Sequence, residues 1–253
     1  MRVSRVTARL AGAALVTLVS GAGILALTPS GAGAAVRTAP AAKVVTTTVV
    51  TKAAASGCAT GKYQKQVEGY LKKLGGYGAV TVDGKQSAAD CAAIKKFQKR
   101  FGIQPAQGLA GPTTYDVAKR LASTNTAACK AKSSGITFCV DLTHQTTWVM
   151  KNGKVYVKPT VTRTGMKGYR TPAGTFKINK RTLKEWSDPY KVWLPYWQHF
   201  TSGMGFHETT TYLHNMGNGS HGCVNLLHND AKDLWNLIGY NTTVKTFGRR
   251  PGT

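Results

Sequence analysis

Cys223 stands in the run Ser220-His221-Gly222-Cys223-Val224-Asn225, and His207 lies upstream in Met204-Gly205-Phe206-His207-Glu208-Thr209. A thiol with an ordinary pKa of about 8.5 is only weakly ionised at neutral pH, so a sulfur nucleophile needs a base or a positive neighbour. His221 is two positions before Cys223, where side chains on an extended segment share a face. His207 belongs to a short apolar, β-like segment that can fold back beside the thiol. Gly222 lets the backbone turn and offer amide N–H groups to an oxyanion. Ser220 and Asn225 add short polar groups at the rim. Thiol, imidazole and backbone donors are the parts needed for acyl transfer through a thioester.

The chain has five cysteines. An oxidising compartment can close four of them and leaves one odd thiol, which needs a chemical reason to survive. The neighbours of Cys223 supply one; an isolated cysteine would read as a small buried hydrophobe. A Cys58–Cys91 bridge would tie the first predicted helix to the second, and Cys129–Cys139 are paired by proximity. The other connectivities stay open.

Residues 1–35 read as a signal peptide: Arg2, Arg5 and Arg9, then the apolar stretch Leu10–Leu27, then Ala32-Gly33-Ala34 as a small-residue cleavage site. The expectation is an exported chain without stable membrane insertion after cleavage. The full chain has a net charge of +24, which loss of Arg2, Arg5 and Arg9 with the leader lowers to +21, and such a chain should be retained on anionic cell-envelope polymers. Its Lys and Arg are scattered, and an exported protein meets the wall first, so nucleic acid is not expected as a partner.

The elements that must position the site follow from periodicity. Residues 36–56 are an Ala/Thr/Lys-rich tether without bulky side chains. Residues 57–122 form a small three-helix domain. Tyr63, Val67, Tyr70, Leu71 and Leu74 repeat at helical spacing, Ser87 and Asp90 make a capping pair, and Gly111-Pro112 opens a third helix. Residues 123–134 are a short polar linker. Residues 135–250 are mainly β and mostly antiparallel, with strands expected over Ile136–Leu142, Thr146–Lys151, Lys154–Thr164 and Thr175–Lys180, and Asn152-Gly153 as a hairpin turn. One helix, capped by Asn229, should flank the sheet and bury Ala231, Leu234, Trp235 and Ile238.

At His207 and Ser220–Asn225 the sequence resembles the L,D-transpeptidase catalytic family. Thr171-Pro172-Ala173-Gly174-Thr175-Phe176 and the segment from Asp141 to Val149 carry the same resemblance. It implies a mixed β fold in which Cys223 forms the acyl-enzyme, His207 takes its proton, and His221 polarises the site or binds substrate. The oxyanion hole would come from amides near Gly222 and Cys223. Ser202, Gly203, Ser220, Asn225 and Tyr190 would hold a peptidoglycan stem peptide. Glu208 departs from the pattern, which usually has a small residue there, so a backbone carbonyl would have to orient the imidazole. Val82-Asp83-Gly84, Ala93-Ile94, Phe97-Gln98 and Gly108–Thr113 resemble small peptidoglycan-binding domains, which implies contact with glycan strands.

The activity so implied is cross-linking of stem peptides with release of D-Ala, outside the cytoplasm and on the wall. An L,D-carboxypeptidase and a non-catalytic wall-binding protein are the alternatives. His207, His214, His221 and His228 recur at heptad spacing, but the Asn/Gly-rich run between His214 and His221 is not helical, so no metal is expected, and no cofactor. His214 and His228 are expected at the surface or rim. Trp186, Tyr190, Trp193, Tyr196 and Trp197 suit either a platform over a cleft or the core, with Trp193 assigned to the core.

Overall fold

The computed structural model describes residues 57–253. The signal-peptide reading and the whole of the tether lie outside the described residues. Among the described residues no helix is long and apolar enough to cross a membrane.

Three helices come first: α1 (Gln64–Leu74), α2 (Ala88–Arg100) and α3 (Pro112–Ser123). Ser87 and Asp90 close a capping box on α2, each side chain taking the other's backbone N–H. Pro112 sits in the first turn of α3, where its missing N–H costs nothing. Val67, Leu71, Ile94, Phe97, Val117 and Leu121 meet in one apolar core. The Cys58–Cys91 disulfide links the segment before α1 to α2.

After α3 the described residues form nine strands, one α-helix and a short 3-10 turn. A five-stranded sheet has the order β3-β2-β1-β9-β4, from β1 (Ile136–Asp141), β2 (Thr146–Lys151), β3 (Lys154–Val161), β4 (Gly174–Lys177) and β9 (Thr243–Phe247). A four-stranded sheet has the order β5-β6-β7-β8, from β5 (Lys180–Ser187), β6 (Val192–Thr201), β7 (Met204–Glu208) and β8 (Val224–Leu226). Most neighbours are antiparallel; β1–β9 and β7–β8 are parallel. Phe138, Val140 and Val244 of the first sheet pack against Phe200, Phe206 and Val224 of the second, and α4 (His228–Leu237) closes the core with Ala231, Leu234 and, at its C-cap, Ile238.

Several expectations need correction. Helix α4 is capped at Leu227 and takes no side-chain hydrogen bond at that end, because Asn229 already lies inside the helix. Strand β3 ends at Val161 rather than Thr164: beyond it Arg163 leaves the first sheet and bridges to Asn225 of the second. In the linker the expected Cys129–Cys139 bond is present. The linker contains a short 3-10 turn, Thr126–Cys129, and the buried Cys129 is bonded to Cys139 on β1. Trp193 is 48% exposed, whereas Trp197 is 5% exposed. Between these tryptophans Tyr196 takes a left-handed φ of +57°, which breaks the regular alternation of the strand.

The helices are joined firmly to the β region. Arg100 pairs with Asp230 of α4 at 2.8 Å, and Thr160 donates to the same carboxylate at 2.6 Å. Arg120 reaches the Gln145 carbonyl at 3.0 Å. Val161 and Leu213 belong to the helical core itself.

Candidate active site

Parallel pairing of β7 with β8 sets the register of the site: His207 lies beside Asn225, and Cys223 immediately precedes β8. Both histidine and cysteine line one cleft of about 260 Å³, with Tyr190, Gly203, Ser220 and His221 also at its walls. Ser202, with φ +41°, sits in the β6–β7 turn beside Gly203. A larger cavity of about 500 Å³ lies on the other side of Thr171, lined by Arg170, Arg249 and Arg250, and contains none of the expected nucleophile or base groups.

The tautomer of His207 follows from its partners. Nδ1 is 2.7 Å from the Glu208 carbonyl oxygen, which can only accept, so Nδ1 carries the proton. Nε2 is therefore a bare lone pair, and Asn225 Nδ2 donates to it at 2.9 Å. The Asn225 amide is oriented in turn by Arg163 Nη2, 3.3 Å from its Oδ1. Burial disfavours the imidazolium and lowers the His207 pKa to about 4; the Glu208 carbonyl opposes this and the Arg163 charge adds to it. Burial also pushes the Cys223 thiol up, against a hydrogen bond to the sulfur from the Gly205 N–H. The resting pair is thus a neutral thiol and a neutral imidazole.

The turn before Cys223 is held from several sides. Gly222 has φ +110°, and a Cβ there would lie 2.7 Å from the Met204 side chain, so glycine alone fits without strain. Ser220 Oγ donates to the Cys223 carbonyl at 2.5 Å and accepts the Gly222 N–H at 3.1 Å. Thr171 Oγ1 donates to the Gly222 carbonyl at 2.7 Å. The Gly222 amide is therefore already engaged by Ser220.

His221 does not share a strand face with Cys223. It points to the surface, stacked on Tyr190 at 4.2 Å and edge-on to Tyr169 at 4.6 Å. Tyr190 sits on the turn between β5 and β6, so this hairpin reaches over the cleft. Burial, with Tyr169 and Cys223 nearby, raises the Tyr190 phenol. The heptad histidines disperse. His228 bonds Glu208 at the surface, while His214 is buried, at 8% exposure, with Nε2 donating to the Phe101 carbonyl at 2.6 Å. The surface expectation for His214 fails because the helical domain covers it. Among the described residues no group of metal-ligating side chains is assembled.

Arg163, Gly205 and Tyr169 were not singled out from the sequence. Gly205 and Tyr169 carry no local signal. Arg163 does: it is the lone charge in the run Pro159–Met166.

Residues 136–246 match the family model of the L,D-transpeptidase catalytic domain, and residues 60–117 that of a putative peptidoglycan binding domain. The solved L,D-transpeptidase (Yku) from Stackebrandtia nassauensis is 55% identical, with a TM-score of 0.76, over 78% of this chain and 96% of that one. An Enterococcus faecium L,D-transpeptidase is 27% identical, with a TM-score of 0.38, over 45% of this chain and 49% of its own. One from Mycobacterium smegmatis is 21% identical, with a TM-score of 0.40, over 46% of this chain and 59% of its own. The chain therefore spans between about half and three fifths of those two proteins. No curated protein matches it.

Proposed function

The chain belongs to the L,D-transpeptidase family, and we propose that it cross-links peptidoglycan through a thioester on Cys223. The observation that carries this reading is the His207 tautomer: Nδ1 keeps the proton, so the basic nitrogen is Nε2, which lies in the cleft that holds the thiol and exchanges the Asn225 amide for the thiol proton. The donor is a tetrapeptide stem. As the Cys223 sulfur attacks the carbonyl of the third residue, His207 Nε2 takes the thiol proton. The C–N bond to the terminal D-Ala then breaks, and the imidazolium returns that proton to the leaving amine. An amine on a neighbouring stem next attacks the thioester. It loses its proton to His207, the thiolate departs, and reprotonation restores the resting pair. The Cys223 amide is the oxyanion donor we assign, since the Gly222 N–H is held by Ser220. Tyr190 and Gly203 line the path of the stem.

Neutral resting partners suit this scheme, because charge then develops only as the reaction proceeds. The helical domain would hold the enzyme on glycan strands, and the positive charge would keep it among anionic envelope polymers. The leader-like residues 1–35 support export to that compartment.

The test is to incubate the protein and its Cys223→Ala variant with a disaccharide-tetrapeptide and follow products by mass spectrometry. A dimer lacking one D-Ala, absent in the variant, is the expected result. A Cys223-dependent tripeptide without dimer would make the protein an L,D-carboxypeptidase. No turnover would leave a wall-binding protein.

A further inference from the structure

Arg163 is the charge in the cleft that the chemistry above does not use. It is only 5% exposed, yet it lines the cleft with Cys223 and His207. Its Nη1 donates to the Tyr212 carbonyl at 2.9 Å, and Nη2 to Thr211 Oγ1 at 2.7 Å, with longer contacts to Asn225 Oδ1 (3.3 Å) and Thr209 Oγ1 (3.4 Å). All four acceptors are neutral. Among the described residues no carboxylate pairs with it, and its buried Nε has no acceptor.

Two other arginines are given carboxylates, and a third, Arg250, meets only neutral carbonyls but lies outside the cleft of Cys223 and His207. Arg120 has Asp116 at 2.9 Å and Arg100 has Asp230 at 2.8 Å. Arg250, also buried, gives its fork to the carbonyls of Thr164, Met216 and Asn218. A guanidinium cannot shed its proton at working pH, so burying one against neutral acceptors alone leaves part of its desolvation cost unmet. A bound anion in the cleft would remove that cost.

We infer that Arg163 receives a carboxylate of the bound donor peptide, namely the C-terminal carboxylate of the residue that is expelled. The inference rests on the reading of the cleft as a transpeptidase site. In that reaction the scissile nitrogen and the terminal carboxylate are attached to the same Cα. A donor poised on Cys223 therefore brings this carboxylate into the same cleft. Nη1 makes one contact and so keeps a second N–H for a carboxylate oxygen, and the fixed guanidinium charge strengthens that bond. Tyr212 and Thr211 hold the fork in place before substrate arrives, so its ordering is complete in advance. Arg163 is on this argument a specificity residue: the protein selects donors that end in a free acid.

The experiment compares two disaccharide-tetrapeptides, one with a free C-terminal acid and one with the C-terminal amide, by kcat/KM for release of the terminal residue. The full chain is used as wild type, Arg163→Gln and Arg163→Lys, with a thermal melt on each. Loss of a charge-assisted pair predicts a preference for the acid of about 100-fold in the wild type. The preference should fall to within a few-fold of unity in the Gln variant and be reduced in the Lys variant. Equal use of both donors by the wild type would overturn the inference while leaving the transpeptidase reading intact. So would an undiminished preference in the Gln variant, which would place the selectivity elsewhere. If the Gln variant does not fold, the Lys variant decides by the same ratio. Turnover of neither donor would bring down the reading of the cleft and this inference with it.

Discussion

In the helical domain Glu68 is fully buried, and its oxygens accept from Gln64 Nε2 at 2.8 Å and from the Asp83 and Gly84 amides at 3.1 and 2.8 Å. Nearby Gln98 is closed in the same way, by the Leu109 carbonyl, the Thr114 hydroxyl and the Gly108 amide. In the cleft, Arg163 keeps a donor without a partner, and the His207 lone pair is met only by the Asn225 amide. Neither Glu68 nor Arg163 has an ion-pair partner among the described residues. One set of buried polar groups is satisfied by the chain itself and fixes a shape. The other is left incomplete, and incompleteness in a concave site is what a substrate can answer.

That contrast can be attacked from both sides. Removing a cleft group should cost activity and little stability. Cys223→Ala should lower cross-linking by at least about 10⁴-fold, on the scale of nucleophile deletions in acyl-transfer enzymes, while a thermal melt stays within a few degrees of the wild type. Residual activity near the wild-type level would put the nucleophile elsewhere.

The cleft should also be the acid-sensitive region. The unfolded chain protonates His207 near its ordinary pKa of about 6.5, and the folded chain only at about 4. The unfolded state thus binds more protons across this window, so stability falls as pH drops from 6.5 towards 4. For this group the loss is about 3 kcal/mol. Burial lowers the His214 pKa too and acts in the same direction. Urea midpoints at pH 7 and pH 4.5 should differ in the wild type and differ less in His207→Asn; identical slopes would refute the assignment.

The helical domain should respond in the opposite way. Glu68→Ala strands three donors and should destabilise by about 2 kcal/mol, with kcat/KM on a soluble tetrapeptide unchanged within a few-fold. A large kinetic effect without a stability change would erase the distinction between the regions. The smallest effect belongs to Tyr190, half-exposed over the cleft. Its stack on His221 is worth about 1 kcal/mol, so Tyr190→Ala should slow turnover several-fold and leave the melt alone.

What could be read in the sequence was what is local. The Ser87/Asp90 box, the Asn152-Gly153 turn and the Cys223 motif each fit within a few residues, and the structure contains the turn and the box as expected. What could not be read depends on pairing at a distance. Trp193 and Trp197 are four positions apart, where regular alternation would give them one face, and their different exposure comes with the left-handed Tyr196 between them. His214 looks like a surface residue until the Phe101 carbonyl, far away in the chain, is brought against it. Arg163 was visible as a lone charge in an uncharged run, but its meaning needed Asn225 and Tyr212 beside it.

Leu213 and His214 lie between His207 and Cys223 in the chain, yet they are built into the helical domain, and the Gln104 amide holds the Tyr212 hydroxyl at 3.2 Å. The boundary drawn along the sequence is therefore not a seam at which the protein can be cut. Shuffling the helical module onto another wall enzyme would carry away the bed in which this stretch rests, and transplanting the β region alone would leave Leu213 exposed to water. The inheritable unit is the pair, and a graft should move both together.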